Sequence, residues 1–233
     1  MRTKLTLITS LLVLAVALSA CGPAVSSQAR SLSVNGSGVV YLTPDIAYIY
    51  IGVHTENPDI AQALAENNLQ AQAVVDALKN MGVAAVDIQT SSFSIWSMED
   101  YDDMGNSYNK YVVDNTVYVT VRDLSNLGTL LNTVVGSGAN NINSIQFDVA
   151  DKAAALTEAR QKAMADANTL AAELAQISGL TLGEIQTISY TDYMPMAYYG
   201  MGGGGSTAPN ASVPIQPGQL QIEVTVAVTY AVR

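Results

Sequence analysis

The sequence predicts an α+β fold in which helices pack against a largely antiparallel sheet. Three observations carry this prediction: strand-like alternation near both ends of the chain, three stretches with helical apolar spacing, and an internal repeat. In the repeat, "GVAAVDIQTSSF" follows the first predicted helix and "GANNINSIQFDV" follows the second. Each unit reads strand–helix–strand, and a hairpin between them gives the order βαββαβ of a split βαβ sheet. A long third helix and two C-terminal strands extend this arrangement.

Residues 1–20 have the pattern of a secretory signal. Arg2 and Lys4 precede the apolar run "LTLITSLLVLAVALSA", which is short for a membrane-spanning helix of about 20 residues. The run ends in "LSAC", which resembles a bacterial lipobox, and this resemblance implies cleavage before Cys21 and a diacylglycerol on its sulfur. Cys21 is the only cysteine, so no disulfide within the chain involves its thiol. The alternative is an uncleaved anchor helix with an incidental cysteine.

These features predict the domain organisation and the location. We expect a lipoprotein signal peptide over 1–20, a tether over 21–30 and one domain over 31–233. The protein is expected to be an exported, membrane-anchored lipoprotein of the cell envelope, on the periplasmic or outer-membrane side. The formal charge of −10 excludes electrostatic attraction to nucleic acid. With no basic face for a membrane surface, the lipid on Cys21 is the expected membrane contact.

The first half of the domain alternates and then becomes helical. Apolar and aromatic residues on both faces of "IAYIYIGV" predict a strand buried on two sides, separated by a kink at 43–45 from an earlier strand. Asn57 and Pro58 predict the start of the first helix, as N-cap and first helical residue, and Gly82 its end. The strand "VDIQTSSFSIW", the polar loop "MEDYDDMGNSYN" and the strand "KYVVDNTVYVTV" follow.

The second half repeats this order and then continues. Asp123 is expected to cap a second helix that ends at Gly136, and "INSIQFDV" is the next strand. Asp151 opens the longest helix, which ends near Gly179. "EIQTISY" and "QLQIEVTVAVTY" are strands on either side of a loop rich in Gly and Pro. The side of the longest helix expected to dock on the sheet carries Leu156, Ala163, Leu170, Leu174 and Ile177.

Several segments together carry a family resemblance. They are "VNGSGVVYLTPDIAYIYIGV", "GANNINSIQFDVAD", "IQPGQLQIEVTVAVTY" and, most specific, "EARQKAMADANTLA" followed by "GLTLGEI". In their order along the chain these segments resemble the SIMPL-domain family, which includes periplasmic immunogenic outer-membrane antigens. The resemblance implies an exported envelope protein and no particular reaction, since the family has no established catalytic residues. It also implies assembly, because some members are thought to form ring- or channel-like oligomers. The lipobox departs from many members, which carry an ordinary cleavable signal.

No pattern in the chain predicts a catalytic site or a cofactor. The only histidine, His54, follows an alternating strand and has no Gly-x-Ser-x-Gly elbow to serve, so we expect a structural role and no enzyme. The glycines of "NGSGVV" lie in a strand, where glycine permits close backbone contact. Those of "MGGGGSTAP" lack the Lys-Ser/Thr of a phosphate-binding loop.

The acidic loop "MEDYDDMGN" is the best candidate for a calcium site in the sequence. In an EF-hand alignment on Gly105, Met104 and Tyr111 stand where oxygen ligands belong, so we expect a solvated hairpin tip and no metal site. The carboxylates concerned are those of Glu99, Asp100, Asp102 and Asp103.

Two functional hypotheses remain open. The first is a non-enzymatic, lipid-anchored envelope protein that forms a homo-oligomer, with a structural or stress-related role. The second is a binding module whose Tyr/Met/Gly-rich loop holds a peptide, glycan or protein partner; the same loop could instead fold back on the sheet. The candidate contact residues are Tyr193, Met194, Met196, Tyr198 and Tyr199.

Overall fold

The computed structural model describes residues 30–192, 196–198 and 215–233, so the predicted signal peptide, most of the tether and Cys21 lie outside the described residues. The strands are β1 (Ser31–Leu42), β2 (Ile46–Asn57), β3 (Ile88–Tyr101), β4 (Ser107–Val121), β5 (Asn141–Asp148), β6 (Leu182–Asp192), β7 (Met196–Tyr198) and β8 (Gln219–Val232). The helices are α1 (Ile60–Asn80), α2 (Leu127–Gly136) and α3 (Ala153–Ile177).

The strands form two antiparallel sheets, which confirms the α+β class. The repeat sheet has the order β3-β4-β2-β5, and all its neighbours are antiparallel. This is the arrangement that a βαββαβ chain adopts in a split βαβ sheet, as the internal repeat predicts. The terminal sheet has the order β1-β8-β6, with β7 also paired to β8. The late strands therefore form a sheet of their own with β1 rather than lengthening the repeat sheet.

The predicted kink at 43–45 carries the chain from one sheet to the other. The backbone N–H of Asp45 donates to the carbonyl of Asp148 at 3.1 Å, and the carboxylate of Asp45 accepts from the N–H of Ala150 at 2.8 Å. Pro44 has no N–H to donate to a ladder, so the strand is interrupted there. As a result β1 pairs along its whole length with β8, whereas β2 is a central strand of the repeat sheet.

Each sheet has a separate core on the face that its helices cover. Alternate residues of β2 and β4 pack under α1 and α2, with Ile49, Val119 and Leu78 fully buried. In the terminal sheet, Leu220, Ile222, Val224, Val226 and Val228 of β8 are buried under α3, as the alternation predicts.

The side of α3 that docks on the sheet differs from our prediction. The buried stripe is alanine at every fourth position: Ala155, Ala159, Ala163, Ala167, Ala171 and Ala175. Leu170 and Leu174 are more than a third exposed, and Ile177 is 81% exposed. The prediction is therefore wrong for these three residues, whereas Ala163 is buried and Leu156 lies partly buried at the margin.

The physical reason is the pair of glycines in β1. A Cβ built on Gly38 would lie 2.0 Å from the carbonyl oxygen of Ala159, and one on Gly36 would lie 2.3 Å from that of Ala163. The helix backbone thus rests directly on the strand, and only alanine fits between them. Burial of larger side chains, which the sequence analysis assumed, would hold the helix further from the sheet.

Two element ends also differ from the prediction. Helix α1 is capped by Asp59 rather than Asn57, because its Oδ1 accepts from the N–H groups of Ala61 and Gln62. The polar loop after β3 is much shorter than predicted, since pairing between β3 and β4 continues to Tyr101 and Ser107.

Candidate functional site

The repeat sheet has one face under helices and one face that no described helix covers, which we call the open face. Because side chains alternate along a strand, the even-numbered residues of β2 and β4 lie there. Cross-strand pairs fix the arrangement: Tyr50 lies opposite Tyr118, and His54 lies opposite Asp114. Beyond a bulge in β3, Trp96 lies on the same face, opposite Val112 of β4.

A charged network crosses the open face near the β3–β4 hairpin. The ammonium of Lys110 lies 2.6 Å from Glu56 Oε2 and 2.8 Å from Asp100 Oδ2. Glu56 Oε1 lies 3.1 Å from His54 Nε2, and Asp114 Oδ1 lies 2.7 Å from His54 Nδ1. The network therefore joins β2, β3 and β4 through side chains as well as through their ladders.

The backbone of His54 is held as firmly as its ring. Its N–H donates to Asn140 Oδ1 at 2.8 Å, and its carbonyl accepts from Asn140 Nδ2 at 2.7 Å. The hydrogen bond with Glu56 raises the pKa of His54; burial opposes this shift, and the hydrogen bond with Asp114 adds to it. Lys110 in turn lowers the pKa of Glu56 and, on β3, that of Asp100.

Aromatic side chains lie on both sides of Asp114 along β4, with the tyrosines at one end and Trp96 and Met98 at the other. Near one end, the Tyr48 and Tyr118 rings are stacked with centroids 5.4 Å apart, and Tyr50 lies 5.1 Å from Tyr118. Burial raises the pKa of the Tyr118 phenol. At the other end, Trp96 and Met98 are 43% and 41% exposed. The open face thus has aromatic groups on both sides of Asp114, with Glu56 level with Trp96 and Asp100 beyond Met98.

This arrangement suits recognition better than proton transfer to a nucleophile. Both ring nitrogens of His54 are engaged by carboxylates, so neither is left to activate a hydroxyl or thiol. Half-exposed aromatic rings beside fixed charges are typical of contact surfaces.

The pH dependence of stability tests this network. Because the pKa of folded His54 is raised above 6.5, its contribution is fully present below that value and is lost as pH rises through the raised pKa. We expect the urea midpoint of wild-type protein to fall between about pH 5.5 and about pH 9 by more than that of His54→Gln. Equal pH profiles for the two proteins would show that the network does not couple His54 to folding.

The other sequence-predicted residues lie elsewhere. Asp102 caps the tight turn of the β3–β4 hairpin by accepting from the N–H groups of Met104 and Asn106. Within the described ranges no three His, Cys, Asp or Glu side chains are grouped so that they could hold a metal ion. Met196 and Tyr198 lie in β7, opposite Gln221 and Gln219 of β8. Tyr193, Met194 and Tyr199 lie outside the described residues, as does Cys21.

His54 is apparent from the sequence, but the surface around it is not. We interpreted the two-sided apolar pattern of β2 as burial on both faces. The structure instead leaves Tyr50 41% exposed, because α1 and α2 cover only the other face. The available signal was the polarity of the later even positions, where His54 and Glu56 follow the tyrosines.

Apart from the open face, a depression of about 240 Å³ lies between the end of α1 and the start of α2. Its charged wall is Asp87, which accepts two hydrogen bonds at 2.8 Å from Arg122. These bonds lower the pKa of Asp87. The two hydrogen bonds between Arg122 and Asp87 join the short turn before β3 to the end of β4. This ion pair therefore has a structural explanation.

Comparisons with known proteins find a matching family profile and several relatives that are similar in sequence. The profile of the SIMPL family, described as a protein of unknown function (DUF541), matches residues 32–230. The 26 kDa periplasmic immunogenic protein of Brucella melitensis is 30% identical over 89% of this chain and 87% of its own length. The uncharacterized protein YggE is 30% identical in Edwardsiella ictaluri, over 78% of this chain and 79% of its own. The YggE protein of Escherichia coli is 29% identical over 69% of this chain and 66% of its own length.

The lengths and hydropathy of the helices bear on whether they could cross a membrane. None of the helices in the described part of the chain is long and apolar enough to span a bilayer.

Proposed function

The chain belongs to the SIMPL family, whose function is unknown, and from that premise we propose that it is a non-enzymatic, lipid-anchored protein of the cell envelope that self-associates. The location is supported by the Brucella relative, which is named a periplasmic protein, and by the signal-like N-terminus. The non-enzymatic role is supported by His54, whose ring is held between two carboxylates. Self-association is carried by one observation, the contrast between the two edges of the terminal sheet.

One edge of the terminal sheet is closed by side chains of α3. The outward N–H of Ser37 donates to Asp166 Oδ2 at 2.9 Å, and the carbonyl of Val39 accepts from Lys162 Nζ at 3.2 Å. Both groups lie in the middle of β1, where a further strand would otherwise pair. Another chain therefore has to displace these bonds before it can add to β1.

The opposite edge, β6, carries exposed apolar side chains. Ile185, Ile188 and Tyr190 are 43%, 50% and 62% exposed. They lie on the helix-covered face of the sheet, opposite Tyr230, Val228 and Val226 of β8. No described strand pairs with the outer side of β6. A sheet edge with exposed isoleucines favours pairing with a second copy. β2 and β8 are central strands of their sheets, so neither offers a free edge for pairing with a second copy.

We expect Ile188→Lys to shift a homo-oligomer toward the monomer. A buried ammonium at the pairing edge would lose its hydration without gaining a partner. The measurement is light scattering of protein lacking residues 1–30, over a range of concentrations. Ile177→Lys is the matched control, because Ile177 is 81% exposed at the end of α3 and is not part of β6. A monomer mass for the unsubstituted protein up to high micromolar concentration would contradict self-association.

We expect Cys21→Ser to abolish membrane attachment. Acyl chains contribute about 0.8 kcal/mol per buried CH₂ group, so two or three chains hold a protein on a bilayer. The measurement is the fraction of protein that remains with washed membranes, together with the intact mass of the wild type. A wild-type mass without acyl groups would rule out the anchor and leave the family assignment untouched.

A further inference from the structure

The open face of the repeat sheet has exposed apolar groups that no described element covers. Tyr50 marks one end, and Trp96 and Met98 mark the other, each about two-fifths exposed. Trp96 lies opposite Val112, which is about six residues, or roughly 20 Å, from Tyr118 along β4. A ligand that contacts both ends is therefore an extended segment of about six to eight residues.

The charge between the two ends limits the chemistry of that ligand. Asp114, Glu56 and Asp100 lie on the open face, and Lys110 is the only lysine or arginine of the network. Three carboxylates against one lysine leave this part of the face with a net negative charge even when His54 is protonated. It therefore favours a cationic segment, and it disfavours a second copy of a chain whose own formal charge is −10.

We propose that the open face binds an extended peptide segment with lysine or arginine at its centre and apolar residues at both ends. Its basic side chains lie against Asp114 and Glu56, and its apolar ends contact the tyrosines and the Trp96–Met98 pair. Successive side chains of an extended segment point to opposite sides, so alternate residues face the sheet. This site is distinct from the β6 edge and from the Tyr/Met/Gly-rich loop, and it does not depend on self-association.

The test is a titration of full-length protein, isolated from cells, into the labelled peptide Leu-Thr-Lys-Thr-Lys-Thr-Leu, whose leucines and lysines share one face when it is extended, followed by fluorescence anisotropy. Two control peptides separate the contributions: one has glutamates in place of the basic pair, and one has glycine and serine in place of the apolar ends. We expect saturable binding of the first peptide only, and weaker binding as salt is raised.

Matched variants locate the site. Trp96→Ala should raise the Kd at least about fivefold, because aromatic residues commonly dominate a contact surface. Phe93→Ala is its control, since Phe93 is 50% exposed on the same strand but on the opposite face. Asp114→Asn should weaken binding in the same way, whereas Asp103→Asn, at the exposed hairpin tip, should not.

Three results would overturn the proposal. The first is the absence of saturable binding, and the second is equal binding of the glutamate peptide. The third is equal sensitivity of binding to Phe93→Ala and Trp96→Ala. A shift of the oligomer mass in Trp96→Ala would also count against it, because the occupant of the face would then be a second copy. Circular dichroism of each variant confirms that a loss of binding is not a loss of fold.

Discussion

Gly38→Ala is expected to destabilise the protein by about 3 kcal/mol, toward the upper end of the usual cost of overpacking a core. The added Cβ would lie 2.0 Å from the carbonyl oxygen of Ala159 and 2.6 Å from the amide nitrogen of Ala163. Both atoms belong to the backbone of α3, so no side-chain rotation relieves the clash. The helix has to move off β1, and the alanine stripe beneath it then loses its contacts. Chemical denaturation of wild type and variant measures the difference.

Gly136→Ala is the matched control for this prediction. Gly136 lies in the last turn of α2 with no atom near the position of an added Cβ, so its substitution is expected to be neutral or stabilising by a few tenths of a kcal/mol. If Gly38→Ala cost no more than Gly136→Ala, the close contact between β1 and α3 would not be a feature of the protein in solution.

Asn67→Asp is expected to be destabilising by about 3 kcal/mol or more at neutral pH. Asn67 is fully buried in α1, and its Nδ2 donates to the carbonyls of Val53 and Val113, both at 3.0 Å. An ionised aspartate in its place has no proton to donate and faces two carbonyl oxygens without a cation. Burial and these oxygens would raise the pKa of the new carboxyl group above its value in the unfolded chain.

The sign of the pH effect follows from that raised pKa. Protonation of the aspartate in the folded state removes its charge, so the defect should shrink as the pH falls toward about 4 and grow as the pH rises. Urea midpoints of Asn67→Asp and wild type, compared at about pH 4.5 and about pH 8, measure this. Asn68→Asp, at the exposed neighbouring position, is the control and should show no such pH-dependent loss. A variant as stable as the control would mean that Asn67 is not buried between the two strands.

Much of the repeat sheet follows from local sequence. The two "Ile-Gln" strands after glycine-terminated helices predict the βαββαβ order, because each unit repeats the same hydrophobic period and stop signal. The alternation of β8 likewise assigns its buried face, since Leu220 and Ile222 are buried as their positions predict. In both cases the residues that form the predictive pattern lie within one or two helical turns or within a few positions of one strand.

The candidate site was only partly predictable for the opposite reason. His54 can be noticed because it is the only histidine, but Asp114 and Lys110, the β4 members of its network, are about 60 positions away. Which residues lie opposite one another depends on the register between β2 and β4. The open face exists because both α1 and α2 pack on the same side, and no local pattern states which side of β2 that will be.

The sequence by itself determines the family, the α+β class and the order of helices and strands, because these depend on periodicity, caps and turns that neighbouring residues specify. Tertiary structure alone decides that β1 leaves β2 at Pro44 to pair with β8, near the other end of the chain. It also decides that α3 docks through alanines rather than leucines. That choice depends on two glycines in β1, more than 100 positions before the helix, whose missing Cβ atoms let the two backbones meet. Contacts of this kind join distant segments, so no period within either segment records them.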